Sequence, residues 1–311
     1  MNIAPIEDRS LTGIALILTA VIVFTGIDTC AKWLVLAGLP PMVVVFARYC
    51  GHMLLVAGLF LPSRRQELFK TANWRLEVAR AGVLLASTTC NFIAVQYLPL
   101  TLTSAIFFTV PLWVCALSIP LLGEKVGIRR WAAIVVGLGG ATIATQPWGA
   151  DFHWAVIFSV AAAIFTAFYS ILTRRLAGVD STETQQFYAA TLATVFIAPV
   201  ALSQWSWPTE SIDWLAFGLI GCFGFVGHQM LTIAHRFAPA STLAPFMYIQ
   251  MLSMTTSSWL VFDTPPDLWV LTGASLVLSS GLYVWIRERQ LVRKGRAALH
   301  PASSISRPAT R

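Results

Sequence analysis

Residues 24–48 read FTGIDTCAKWLVLAGLPPMVVVFAR. Two apolar runs meet across Pro40-Pro41, and three charged side chains, Asp28, Lys32 and Arg48, lie inside them. A charge at the centre of a bilayer costs about 2.5–3.5 kcal/mol on insertion scales, so such groups face the bundle interior and mark functional paths. If the flanking runs cross a membrane, these three residues are expected on the wall of a buried polar cavity. That is the arrangement of a carrier rather than of an anchor.

Composition agrees with a membrane setting. The chain has 311 residues, of which 57% are hydrophobic and 11% charged, whereas soluble domains carry about 25% charged residues. A soluble globule could not hide so much apolar surface. The five cysteines, Cys30, Cys50, Cys90, Cys115 and Cys222, fall in apolar segments without CxxC spacing. They read as small packing residues rather than a disulfide framework or a metal site. Arg9 precedes a long apolar run with no small-residue cleavage site, so that run is expected to be a retained first helix.

A hydrocarbon core about 30 Å thick needs roughly 20 apolar residues per helix. Ten stretches meet this: 12–35, 42–62, 77–97, 101–122, 131–147, 154–173, 184–204, 213–234, 242–262 and 269–286. The joins carry turn chemistry, among them Pro40-Pro41, Pro99, Gly178, Pro239 and Pro265-Pro266. Residues 287–311 are basic, then Pro/Ser-rich, and are expected to form a disordered tail.

The loops alternate in charge. The odd-numbered connections (35–41, 98–100, 148–153, 205–212, 263–268) hold no Lys or Arg, and Asp151, Glu210, Asp263 and Asp267 sit in them. The even-numbered connections and both termini hold Arg64, Arg65, Lys70, Arg75, Lys125, Arg129, Arg130, Arg174, Arg175, Arg236 and a cluster from Arg287. Lys and Arg mark the cytoplasmic side. Ten spans with both termini cytoplasmic follow, and the net charge of +7 becomes a topology signal rather than a sign of nucleic-acid binding.

The chain also repeats. A shift of 140 residues lays Leu36-Ala37-Gly38 on Leu176-Ala177-Gly178, Ile93-Ala94 on Ile233-Ala234, Pro99 on Pro239 and Ser118 on Ser258. Each half, 12–147 and 154–286, then holds five spans, and an odd number inverts the second half relative to the first. Inverted repeats with a midplane site between them are a transporter architecture.

These features together resemble the EamA family of the drug/metabolite transporter superfamily. The resemblance rests on Asp28-x-x-x-Lys32 in the first span, Arg48 in the second, TLTSAIFFTVPLW at 101–113, and GEKVGIRRWAAIVVGLGGATIA from Gly123 onward. Thr264 stands where the repeat would place a second Glu124. The resemblance implies an all-α integral membrane fold and a small-molecule substrate, with no cofactor. Relatives whose first helix reads D-x-x-x-K-W include importers of riboflavin and of S-adenosylmethionine. A neutral flat ring suits aromatic walls, and Arg48 disfavours a sulfonium cation, so riboflavin is the expected substrate of the two.

Depth along the helices selects the candidate site. At 1.5 Å per residue, Asp28, Arg48 and Asn91 lie roughly 10 Å below the outer surface, and Asp28 and Lys32 share a helix face. An Asp28–Arg48 pair is expected, either gating a cavity or fixing helix packing. The inner half offers Tyr169, Tyr188, His228, Gln229, Tyr248 and Gln250, and the repeat sets Arg48 against Tyr188, Thr88 against His228 and Phe108 against Tyr248. Trp113 follows Phe107, Phe108 and Pro111 and is a candidate for stacking on a planar ligand. Nine further tryptophans fall at expected helix ends, as an aromatic belt would place them. Each of these side chains also has an ordinary reading: an interfacial tyrosine, a core histidine bonded to a carbonyl, or a lipid-facing tryptophan. Asp28 and His228 are taken as the mid-helix groups able to titrate. There is no P-loop, so ATP drive within the chain is not expected. A membrane-embedded enzyme would need clustered acids or an i,i+4 histidine pair, and neither is present.

Overall fold

The computed structural model describes residues 9–97, 106–107, 109–145, 154–263, 265 and 268–299, and every helix below lies within them. In chain order these are α1 Ser10–Leu36, α2 Pro41–Phe69, α3 Trp74–Tyr97, α4 Val110–Leu122, α5 Ile128–Thr145, α6 Val156–Leu176, α7 Thr182–Ser203 and α8 Ser211–Phe237. Residues 240–262 form α9, which starts as α-helix at Ala240–Leu243, tightens to 3₁₀ over Ala244–Tyr248 and resumes at Ile249–Phe262. The tightening begins beside Pro245, which has no N–H to give to an α-helical bond. Leu268–Leu299 is α10. The tail expected to be disordered from Arg287 is thus helical as far as Leu299.

Among the described residues, five helical segments are long and apolar enough to cross a bilayer: Ser10–Leu36, Pro41–Ser63, Val156–Leu176, Thr182–Ser203 and Ser211–Phe237. Shorter apolar helices include Val110–Leu122, Trp131–Gly140 and Leu271–Ser280. Absent from both groups is α3, which carries Arg75, Glu77 and Arg80 in its first two turns.

Backbone geometry carries the repeat. Helices α1 and α6 end at Leu36 and Leu176, and α4 and α9 at Leu122 and Phe262, each pair 140 residues apart. Among the described residues four have positive φ, and they form two pairs at the same spacing: Gly38 (92°) with Gly178 (85°), and Gly123 (67°) with Asp263 (50°). The left-handed conformation ends the helix in each case, and glycine adopts it without steric cost.

Packing carries it too. Helix α1 lies along α8 as α6 lies along α3, α2 along α7, and α5 along α10, while α4 leans on α6 as α9 leans on α1. Exchanging the first five helices for the last five maps this set of neighbours onto itself. Each helix therefore takes its main partner from the other half. The largest apolar cluster reflects this, drawing Ile14 and Ile17 from α1, Tyr49 from α2, Leu84 from α3, Tyr169 from α6, Ala193 from α7, Leu231 from α8 and Phe246 from α9. Where α2 crosses α8, a Cβ built on Gly221 would lie 2.7 Å from the Gly51 Cα, so these backbones meet with no side chain between them.

Candidate functional site

Polar groups buried between the halves converge on α3 and α8. Arg80 is 0% exposed. Its Nε donates to Thr173 Oγ1 (2.8 Å), its Nη1 to the Gln185 carbonyl (2.8 Å), and its Nη2 to Tyr169 Oη (2.9 Å) and Thr232 Oγ1 (3.3 Å). All four acceptors belong to α6, α7 and α8, so one arginine of the first half is held entirely by the second.

Tyr169 passes the chain on to His228, whose Nδ1 lies 2.9 Å from Tyr169 Oη. The other ring nitrogen, Nε2, lies 2.8 Å from Arg48 Nη2. A guanidinium can only donate, so Nε2 accepts and the imidazole proton sits on Nδ1, donating to Tyr169. Two arginines thus fix His228 as a neutral ring in a single tautomer. Arg48 Nη1 also reaches Thr88 Oγ1 (3.4 Å), which lies 2.7 Å from Tyr49 Oη. Gln186 Nε2 donates to the His228 carbonyl (2.9 Å) and to Thr232 (2.8 Å). His52 lies parallel to His228 with ring centroids 5.9 Å apart.

A second cluster joins α1 to α9. Asp28 Oδ2 accepts from Gln250 Nε2 (3.1 Å). On the same seam Thr25 pairs with Ser253 and Thr29 with Ser257, each at 2.6 Å. Asp28 is exposed, with Arg48 near enough for its charge to be felt.

The expected Asp28–Arg48 ion pair is not formed. Each member is tied instead to a neutral partner from the second half, Asp28 to Gln250 and Arg48 to His228. Lys32 likewise leaves Asp28 alone and sits over the Phe262 ring, 4.2 Å from its centroid. Tyr169, His228 and Arg48 share one network, and Asp28 and Gln250 share the other. Tyr248 is fully buried, with its hydroxyl on the Ile134 carbonyl (3.2 Å) and its ring against Gly137, so it packs α9 on α5. Tyr188 donates to the Phe69 carbonyl at the end of α2 (3.4 Å). Trp113 lies in the first turn of α4, 37% exposed, its indole N–H on Thr109 Oγ1 (3.1 Å). Asn91 and Gln229 are half-buried on α3 and α8, and Phe108 lies outside the described residues.

Sequence reasoning did not select Arg80, His52, Thr88 or Gln186. Arg80 satisfies the criterion that picked Arg48, a charge within an apolar span, but it stands three residues inside the expected 77–97 and looks like one more loop charge. His52 and Glu77 extend the set of intrahelical titratable groups beyond Asp28 and His228: they are 2% and 0% exposed.

One end of the molecule is tied shut. The Glu124 carboxylate, in the α4–α5 turn, accepts from the Ala240 and Ser241 N–H groups (3.0 Å each) at the start of α9. Arg174 Nε approaches Glu124 Oε1 to 3.9 Å, and Arg174 Nη1 donates to the His235 carbonyl. Asp180 accepts from Thr71 Oγ1 (2.5 Å) and the Ala72 N–H (2.8 Å), and Thr184 Oγ1 donates to the Glu67 carbonyl (3.0 Å). At the opposite end the Trp33 indole N–H donates to Asp213 Oδ1 (2.9 Å).

Comparison with known proteins agrees with this architecture. The model of the EamA-like transporter family matches the chain twice, over residues 11–146 and 153–286. The chain is similar to a riboflavin transporter of Vibrio cholerae, 28% identical over 94% of this chain and 98% of that protein. It is also similar to an S-adenosylmethionine uptake transporter of Rickettsia conorii, 24% identical over 91% and 96% of the two chains. A solved crystal structure superposes with a TM-score of 0.72 over 88% of this chain and 98% of that one, at 21% identity, a likeness of fold alone. With both halves matched by one family of transporters, this multi-pass membrane protein belongs to the EamA-like transporter family.

Proposed function

We propose that the chain is a secondary carrier that moves a small planar metabolite across the bacterial inner membrane by alternating access. In this reading it has ten spans in two inverted five-helix halves, with both termini cytoplasmic. The observation that carries it is Asp28, an exposed carboxylate in an apolar helix, bonded to Gln250 of the second half, with Arg48 nearby held by His228 of that same half. Such a site offers a hydrogen-bond acceptor and a set of guanidinium donors near each other. Riboflavin uptake is the first substrate reading, because a flavin edge carries an N–H beside carbonyl oxygens and suits both. The names of relatives such as the Vibrio cholerae protein support it.

A second reading is S-adenosylmethionine, as for the Rickettsia conorii relative. The accessible Asp28 favours it more than the sequence suggested, since Arg48 has its own partners and an exposed carboxylate attracts a sulfonium. The test is uptake of labelled riboflavin and S-adenosylmethionine by a host lacking importers for both, followed by counterflow in vesicles. Saturable riboflavin uptake with counterflow is expected. Saturable uptake of S-adenosylmethionine alone selects the second reading, and uptake that does not saturate overturns the carrier mechanism.

A further inference from the structure

Two carboxylates and one guanidinium meet at the tied end of the molecule. Glu77, in the first turn of α3, is 0% exposed, and its nearest cation is Arg80 Nη1 at 3.9 Å. That is beyond hydrogen-bond reach, and four of the five Arg80 N–H groups are already directed at Thr173, Gln185, Tyr169 and Thr232. Neither Glu77 oxygen accepts a hydrogen bond from a donor in the described residues. Across the seam, in the turn between α6 and α7, stands Asp180, 6% exposed, bound to Thr71 and Ala72 just ahead of α3 and near enough to Glu77 for its charge to be felt.

The two acids are not equivalent. Asp180 is supplied with donors, the Thr71 hydroxyl and the Ala72 N–H, as a carboxylate requires. Glu77 is supplied with none. Of the other cations at this end, Arg174 lies against Glu124 and Arg236 donates to Thr182, while Lys70, Arg75 and Arg175 are exposed. His235 Nδ1 lies 2.8 Å from the Leu231 carbonyl, as a neutral donor does. Arg80 is therefore the nearest cation to Glu77, yet it gives Glu77 no hydrogen bond. A second ionised carboxylate would be buried without a donor and beside a like charge, which is unfavourable on both counts.

We propose that Glu77 and Asp180 form a proton-binding site that bridges the halves, with one proton carried on Glu77 and shared with Asp180 while this end is closed. The proton lets an acid of α3 and an acid of the α6–α7 turn approach each other, so closure binds a proton and separation of the halves releases it. On the proposed topology the proton exchanges with the cytoplasm, and only the side on which it exchanges rests on that reading. Rising cytoplasmic pH then favours the open seam.

The test uses the full-length purified protein and needs no substrate, so it stands apart from the transport assay. Infrared spectra of the wild type at about pH 7 should show the carbonyl stretch of a protonated, buried carboxylic acid, lost in Glu77→Gln. Glu77→Gln reproduces the shape of the protonated acid and should fold normally. Its thermal midpoint should stay flat from about pH 6 to about pH 8.5, whereas that of the wild type falls as the proton is stripped. Asp180→Asn removes one of the two negative charges, lets Glu77 ionise against Arg80, and should abolish the same band. No such band in the wild type, or a band that persists in Glu77→Gln, overturns the proposal, as does an unchanged pH dependence in that variant.

Discussion

At the scale of single residues, the site is governed by which partners a guanidinium can accept. Arg48 and Arg80 are permanent donors, and between them His228 and Tyr169 must order their hydrogens in one sense. Replacing His228 by Ala removes the acceptor that keeps Arg48 away from Asp28, and the two charges can then collapse onto each other. His228→Gln supplies an amide oxygen in its place. Uptake should fall at least about tenfold in the Ala variant, the equivalent of about 1.4 kcal/mol, and recover most of the way in the Gln variant. Asp28→Asn and Arg48→Ala should each abolish uptake while protein remains in the membrane. Normal rates from both would reduce these residues to packing. Arg80 belongs to stability first. Arg80→Ala strands the Gln185 carbonyl and three hydroxyls in a buried site, at a cost of about 3–5 kcal/mol, and the membrane-extracted protein should unfold correspondingly earlier. The sequence marked Asp28 and Arg48 because each stands alone among apolar neighbours. It concealed Arg80, whose neighbours Arg75 and Glu77 give that stretch the look of a loop, and it could not reveal that all three have second-half partners some 90–220 residues away.

At the scale of helices, the repeat was legible and its details were not. Gly38 and Gly178 stand out in the sequence because only glycine turns left-handed there without strain. Gly123 and Asp263 adopt the same turn at φ 67° and 50°, but aspartate hides the match. Asp263→Gly should therefore raise stability, by about 1 kcal/mol on the usual cost of a left-handed L-residue, read as a higher thermal midpoint. The α2–α8 crossing gives the opposite sign. A methyl on Gly221 would stand 2.7 Å from the Gly51 Cα, and backbone cannot step aside as a side chain can. Gly221→Ala should lower stability by about 1–3 kcal/mol as an overpacked contact. Gly221, Gly224 and Gly227 leave α8 without bulk along one stretch, and the structure identifies α2 as the helix that meets Gly221. Sequence periodicity finds which residues are small, but it carries no information on which distant helix they meet.

For the whole molecule, the arrangement of bonds between halves defines a conformational state. The turn after α4, the ends of α2, α6 and α8, and the starts of α3, α7 and α9 are joined by Glu124, Arg174, Asp180, Thr184 and Arg80. Asp28, toward the other end of the bundle, stays open to solvent. On the proposed topology the protein is closed to the cytoplasm and open outward. Glu124 is the member of this seam with the most concentrated role, because two backbone N–H groups of α9 depend on its carboxylate. Each such charge-assisted bond contributes about 1.5–3 kcal/mol, and water replaces part of that when the seam opens. Glu124→Ala should shift the closed–open equilibrium by about 1.4 kcal/mol, or roughly tenfold. Cys115 offers a native probe, since it is 0% exposed and lies against the start of α9, its sulfur 3.9 Å from the Ser241 carbonyl. With Cys30, Cys50, Cys90 and Cys222 changed to Ser, a membrane-impermeant thiol reagent applied from the cytoplasmic side should modify Cys115 slowly in the otherwise native chain. In the Glu124→Ala variant the rate should rise about tenfold, following the open population. Equal rates in the two would mean that Glu124 caps α9 without holding the halves together, and the closed end would have to be credited to Arg80, Arg174, Asp180 and Thr184.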